Sequence, residues 1–483
     1  VATEGDETGR VSGLREVVQL AWPLVLNNSI WTAQIFVDRT ILARHDVNEL
    51  AATLNSVLIF WSALNLFFFT TMYVSTFVSQ YIGAGRPHRI GPVVGQAVYT
   101  ALIGGVFFLG LMTFADRIFA NIGAEEVRGF EATYFRLLCL SAMPTLLAAA
   151  TNSFFIGRGD SRTVLYVSIV ALFVNATLDF LLVFGRFGFP EMGIAGAGWA
   201  TVAGQWVSAC ISMGLFLRKR YRIEYRTTDF WRFDPALFRR LLRFGVPNGV
   251  FVTLETGAFT CLTLVIGELG TREAAASTAA LTLNMLAFLP AMGLGQTVEV
   301  LVGKYQGQDR PDLSEQRTYV GFALAWSFMA VMALFYLLIP EILLTPFNDN
   351  SSPEVIALAT VILRFVAFYC MFDAGNSIFS CALRGAGDTR FVMLVVSFLP
   401  WLGMALPAFI AFRLGAGIYW LWGIASAYIA TLAFVFYFRF RHGAWRTMKV
   451  IESADKPLSS DPDGGYPEAE GGSSERTRAA PGS

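Results

Sequence analysis

VSQYIGAGRP at residues 78–87 returns as VGKYQGQDRP at residues 302–311, with Val, Tyr, Gly, Arg and Pro in register 224 positions apart. The register extends outward without a gap: Pro23 falls on Pro247, and Ala51 and Ala52 fall on Ala275 and Ala276. A second block recurs at an offset of 228, where Gly157, Gly159, Asp160, Arg162 and Val164 meet Gly385, Gly387, Asp388, Arg390 and Val392. A period this long means one structural unit built twice, and its two copies fill nearly the whole chain.

Composition gives the medium. With 55% hydrophobic residues, 15% charged residues and a mean hydropathy of +0.53, the chain is more apolar and less charged than a soluble domain. Apolar stretches of about 20 residues, the length a helix needs to cross the hydrocarbon core, occur near 17–37, 52–80, 92–114, 131–155, 163–185 and 194–217. A second set lies near 244–266, 278–303, 319–339, 356–381, 391–412 and 418–438. The reading is an all-α integral membrane protein with about twelve spans, six per copy. Six is even, so both copies enter the bilayer in the same sense and are related by an axis along the membrane normal. A cleft between two pseudo-symmetric six-helix bundles follows.

Positive charge sets the orientation, because cytoplasmic loops keep Lys and Arg. The segment between the copies carries Arg218, Lys219, Arg220, Arg222, Arg226 and Arg232, and Arg439, Arg441, Arg446 and Lys449 follow the last span. Both therefore face the cytoplasm, as do both termini. The expected organisation is a disordered tail (1–12), a first lobe (13–217), a basic linker (218–240), a second lobe (241–440) and a largely disordered tail (441–483), whose final 31 residues, 453–483, are rich in Pro, Gly, Ser and Glu. The first span lacks a small-residue cleavage pattern and has a repeat partner, so it is read as retained. Cys139, Cys210, Cys261, Cys370 and Cys381 all fall in apolar spans and read as free packing thiols. With a formal net charge of +0, the short basic linker reads as a topology determinant on anionic headgroups rather than a nucleic-acid contact.

Ionisable residues inside spans are costly and invite a functional reading. Asp38 closes the first span after Asn27, Asn28 and Gln34, and Asp179 lies one turn beyond Asn175 on the same helix face. Glu255 interrupts the seventh span, and Asp373 the tenth, one turn after Tyr369. Such carboxylates bind a cation or take a proton. Each also has a plain structural role open to it: Asp38 paired with Arg39 or solvent, and Asp179 with Asn175 as an interhelical hydrogen-bond pair. Glu299, within reach of Gln296 and Lys304, reads as a structural partner.

The repeat separates scaffold from function. Glycines, prolines and arginines recur at matched positions, and Arg136 and Arg364 match as boundary anchors. The carboxylates do not recur: Asp38 falls on Leu262, Glu255 on Trp31, Asp179 on Pro407 and Asp373 on Thr145.

Trp22-Pro23 leading to Val37-Asp38, then Leu50-Ala51-Ala52 and Tyr81-Ile82-Gly83-Ala84-Gly85-Arg86, resembles the first half of a multidrug and toxic compound extrusion (MATE) transporter. Gly245-Val246-Pro247, Leu254-Glu255, Gly293-Leu294-Gly295-Gln296, Val302-Gly303 and Leu383-Arg384-Gly385-Ala386-Gly387-Asp388-Thr389 are similar to its second half. The resemblance spans roughly residues 15–440. It implies twelve helices in a V-shaped pair of lobes and a central cavity that opens alternately to each side, with export coupled to inward sodium or protons. On the matching positions it implies a polar site at Asp38, Asn175, Asp179 and Thr201, and a NorM-like cation site at Glu255, Tyr369 and Asp373. Sodium would sit at Asp38, Asn175 and Asp179 or at Glu255, Tyr369 and Asp373. Glu299 departs from the pattern and stands outside this set.

The expectation is a monomeric secondary antiporter, without cofactor, that exports lipophilic organic cations across the inner membrane of a prokaryote. A flippase for lipid-linked sugars would line its cavity with basic groups, whereas these in-span charges are mostly acidic. An embedded enzyme needs groups that are missing: there is no HExxH and no Walker-type loop. His45, His88 and His442 lie in loops or tails and read as solvated. Residues 193–198, GIAGAG, mimic a nucleotide loop only superficially and read as close helix packing.

Overall fold

The computed structural model describes residues 4–120, 125–346 and 352–452, and no strand occurs among them. All twelve apolar stretches are helical. The first six are α1 (Glu4–Ala43), α2 (Val47–Met72, resumed at Val74–Gly83), α3 (Ile90–Met112), α4 (Arg128–Gly157), α5 (Ser161–Val183) and α6 (Ile194–Phe216). The second six are α7 (Pro235–Leu269), α8 (Thr271–Gly307), α9 (Pro311–Leu338), α10 (Pro353–Ala386), α11 (Thr389–Pro400, carried through a π turn at Trp401–Ala405 into Leu406–Arg413) and α12 (Ile418–His442).

By length and composition ten of these helices can cross a membrane, and α6 with the bent helix Lys219–Tyr225 makes an eleventh. The helix that falls short by this measure is α1, where Asn27, Asn28, Gln34 and Asp38 dilute the apolar residues. Phe36, Val106, Phe173, Leu264, Phe398 and Trp420 are all exposed. So much apolar exposure suits a protein whose solvent is lipid.

The duplication is visible in the packing. In the first half α4 packs against α2, α3 and α6; in the second, α10 packs against α8, α9 and α12, the same set moved on by six. One apolar core runs from Leu42 to Ala197 and another from Phe251 to Trp445. The two halves also exchange partners, α1 lying on α8 and α7 on α2. Here Asn248 Nδ2 donates to Phe69 O at 2.9 Å, and Thr70 Oγ1 to Gly245 O at 3.3 Å.

The opening motif is where the halves meet most closely. The segment Val74–Gly83 crosses the end of α8, and a Cβ on Gly83 would collide with Lys304 O, one on Gly307 with Gln80 O, and one on Gly303 with Ser79 Oγ. Each repeat thus supplies a glycine for the other repeat's backbone. Glu16 of α1 reinforces the contact, meeting Lys304 Nζ at 2.9 Å, Tyr305 Oη at 2.6 Å and Arg317 Nε at 2.9 Å.

Linker and ends differ from expectation. The linker does not simply lie on headgroups: Tyr225 and Phe230 are buried, Tyr99 Oη donates to Trp231 O at 2.6 Å, and Gln96 Nε2 to Arg232 O at 3.0 Å. Arg218, Lys219, Arg220 and Arg222 stay at the surface. Backbone helix starts at Glu4, inside the stretch expected to be a tail. After α12 the chain stays folded to Ile451: Trp445 stacks on Phe440 at 4.8 Å, and Val450 N donates to Gln80 Oε1 at 2.9 Å across the seam. The tail expected over 453–483 lies outside the described residues. All five cysteines are free, with Cys210 exposed rather than packed.

Candidate functional site

In the first half, α1 lies along α5 and brings the Asp38 and Asp179 carboxyl groups close enough to interact. Asp179 and Asn175 are fully buried. Asp38 Oδ1, both Asp179 carboxylate oxygens and both Asn175 amide atoms lack any hydrogen-bond partner among the described residues. Asp38 forms no ion pair with Arg39 and keeps part of its surface exposed, and Asp179 does not hydrogen-bond Asn175. Buried polar groups are nearly always paired, so five orphaned atoms in one place make this pocket the candidate site of the first half.

Close packing of α5 on α6 makes that pocket. Gly204 lies against the Asn175 side chain, and Gly196 and Gly198 lie against Leu182 and Leu137, which makes the glycine-rich stretch a packing device. Thr201 of α6 lies beside Tyr134 of α4, which is within charge range of both carboxylates. Sequence reasoning missed Tyr134. Nothing local marks one tyrosine among fifteen; only the α4–α6 contact shows its place.

In the second half, half-buried Glu255 on α7 faces buried Asp373 on α10 within charge–charge range. Asn376 Nδ2 donates to Asp373 Oδ1 at 3.2 Å. Tyr369 is buried on the Asp373 side and lies parallel to Trp422, ring centroids 6.4 Å apart. Tyr428 of α12, also missed, turns a buried and unpartnered hydroxyl toward both carboxylates. The two sites are not copies, since one joins α1 to α5 and the other α7 to α10, as the unmatched repeat positions require.

Two further acidic groups find partners within the protein. Glu299 reaches neither Gln296 nor Lys304. It accepts from Thr76 Oγ1 of the first half at 3.0 Å and pairs with Arg384 Nη2 at 3.3 Å, while Lys304 has gone to Glu16. Glu131, fully buried on α4, accepts from Asn55 Nδ2 at 2.7 Å. His45 is not a merely solvated loop residue, because it bridges Glu49 at 2.9 Å and Glu191 at 3.0 Å. Among the described residues no group of three or more His, Cys, Asp or Glu side chains is arranged to hold a metal ion.

Comparison with known proteins agrees with this architecture. The family model MatE matches residues 23–181 and again 247–409, one match per repeat. A probable multidrug resistance protein NorM of Xanthomonas campestris is 32% identical, with 80% of this chain and 85% of that protein covered. A NorM of Mesorhizobium japonicum is 28% identical over 87% of this chain and 92% of that protein. The multidrug resistance protein PmpM of Pseudomonas aeruginosa is 30% identical over 82% and 83%. A solved structure of an outward-facing multidrug resistance MATE transporter of the MOP superfamily superposes with a TM-score of 0.80 at 19% identity, covering 92% of this chain and 99% of that one. A crystal structure of MATE in complex with MaL6 gives a TM-score of 0.82 at 19% identity, covering 90% of this chain and 98% of that one.

Proposed function

The chain belongs to the MatE family of membrane transporters, and from that premise we propose that it is a secondary multidrug exporter driven by inward sodium or protons. The observation that carries this reading is the meeting of Asp38 with Asp179 in a buried pocket that offers them no cation. Two carboxylates in contact need a proton or a cation between them. An inbound ion can supply that charge, and an outbound organic cation can compete for it. The second site, Glu255 with Asp373, Tyr369 and Tyr428, gives the other lobe an equivalent capacity.

Differential affinity between two states is what coupling requires. The glycine seam between 74–83 and the end of α8 closes the linker end of the molecule. Parting of that seam, with closure of the opposite end, would expose the sites in turn. On the charge distribution of the loops the linker end is cytoplasmic, with the chain in the inner membrane of a bacterium. The acidic sites and aromatic-rich helices suit lipophilic cations through charge and cation–π contact.

Counterflow in proteoliposomes tests this. With a fluorescent organic cation as substrate, an imposed sodium or pH gradient should drive uptake against its concentration gradient. Export that ignores both gradients would sink the antiporter reading.

A further inference from the structure

Arg384, near the end of α10, stands between two carboxylates with different duties. Its Nη2 pairs with Glu299 at 3.3 Å, and it also lies within charge–charge range of Glu255 in the cation site. Glu299 in turn accepts from Thr76 across the seam between the lobes. The backbone of Arg384 is tied to the first lobe as well, its carbonyl accepting from Tyr73 Oη at 2.7 Å. The guanidinium is almost enclosed, with 13% of the side chain exposed, rests 5.0 Å from the Phe251 ring and reaches Cys381 Sγ at 3.0 Å. Its Nε has no hydrogen-bond partner, so one donor is free for another acceptor.

We propose that Arg384 is a shared counter-ion that couples occupancy of the cation site to closure of the lobe seam. The inference rests on the exporter reading above. When Glu255 is bare, it competes with Glu299 for the one guanidinium and weakens the Glu299–Thr76 contact. A cation at Glu255 and Asp373 neutralises that competitor and repels Arg384 toward Glu299, so the filled site holds the seam shut. Linkage makes the effect reciprocal: the closed seam raises the affinity of the site for its cation. Once the seam parts, Glu299 loses Thr76 and gains water, and Arg384 turns to Glu255 and displaces the cation. Loading at the far end and release at the linker end follow from one side chain's choice of partner. A buried charge pair that costs stability thereby acquires a use as a switch.

The test is hydrogen–deuterium exchange of the full-length protein in detergent, read on peptides covering 74–83 and 299–307. Sodium is raised at constant pH with choline as the balancing cation, and separately pH is lowered without sodium. In the wild type one of these cations should slow seam exchange about tenfold, the size of effect that one charge-assisted hydrogen bond exerts on an equilibrium. Glu299→Gln should exchange fast and lose the cation response. Glu255→Gln should exchange slowly without any cation, a shift of opposite sign that a purely structural ion pair would not give. Thr76→Val should weaken the response while leaving exchange in α6 unchanged. A cation response retained in Glu299→Gln, fast exchange in Glu255→Gln, or no response in the wild type would overturn the proposal. The counterflow result is independent of all three.

Discussion

At the scale of single residues, function and stability should pull apart. Asp38 and Asp179 meet in a pocket that supplies no hydrogen bond to three of their four oxygens. A neutral isostere removes a charge whose burial is costly. Asp38→Asn and Asp179→Asn are therefore expected to melt at or above the wild-type temperature in a thermal-shift assay. Dye extrusion in efflux-deficient cells should fall at least about tenfold, equivalent to about 1.4 kcal/mol. A melting point well below wild type would assign the pair to scaffolding instead. Tyr134→Phe deletes only the hydroxyl beside Thr201, within charge range of both carboxylates. It should cost about 1 kcal/mol, appearing as a rise in KM for substrate or ion rather than as loss of folding.

At the scale of elements, the loop joining α1 to α2 carries a titrating clasp. Burial alone would lower the His45 pKa, but its hydrogen bonds to Glu191 and Glu49 outweigh that and raise it from the ordinary 6.5. A raised histidine contributes stability that is fully present below its unfolded value and fades as pH rises through the folded one. His45→Gln should thus lower the melting temperature at about pH 5.5 and have little effect at about pH 9. A deficit independent of pH would contradict the clasp. The contact between α2 and α8 makes the opposite kind of prediction. Gly83→Ala places a methyl group against Lys304 O, and backbone cannot step aside as a side chain can. The seam should then fail to close, with a cost of about 1–3 kcal/mol, transport lost and exchange in 299–307 accelerated.

At the scale of the whole molecule, alternating access needs the seam to open and close in each cycle. A Cβ on Gly303 would stand 3.3 Å from Ser79 Cβ, near the span of a disulfide. Ser79→Cys combined with Gly303→Cys, in a background cleared of the five native cysteines, should cross-link under mild oxidation and stop transport. Reduction should restore it. Full transport by the cross-linked protein would show that the seam does not move.

The sequence by itself determined the duplication, the helical class and the family, because apolar run length and a repeat in register are local properties. It also drew attention to Asp38, Asn175, Asp179, Glu255, Tyr369 and Asp373, since a polar group in an apolar run stands out wherever it points. Tertiary structure alone decided which of these meet. Asp38 and Asp179 lie 141 positions apart in the chain and touch only because α1 packs along α5. Tyr134 and Tyr428 were illegible for the same reason, as a tyrosine in a span becomes a ligand candidate only through its neighbours. Glu299 was legible as an oddity but not as a link, for its partners Thr76 and Arg384 belong to other helices and, in the case of Thr76, to the other repeat. Hydropathy records each residue's own preference for lipid, whereas a site is a property of contacts among residues far apart in the chain, and those exist only once the helices have packed.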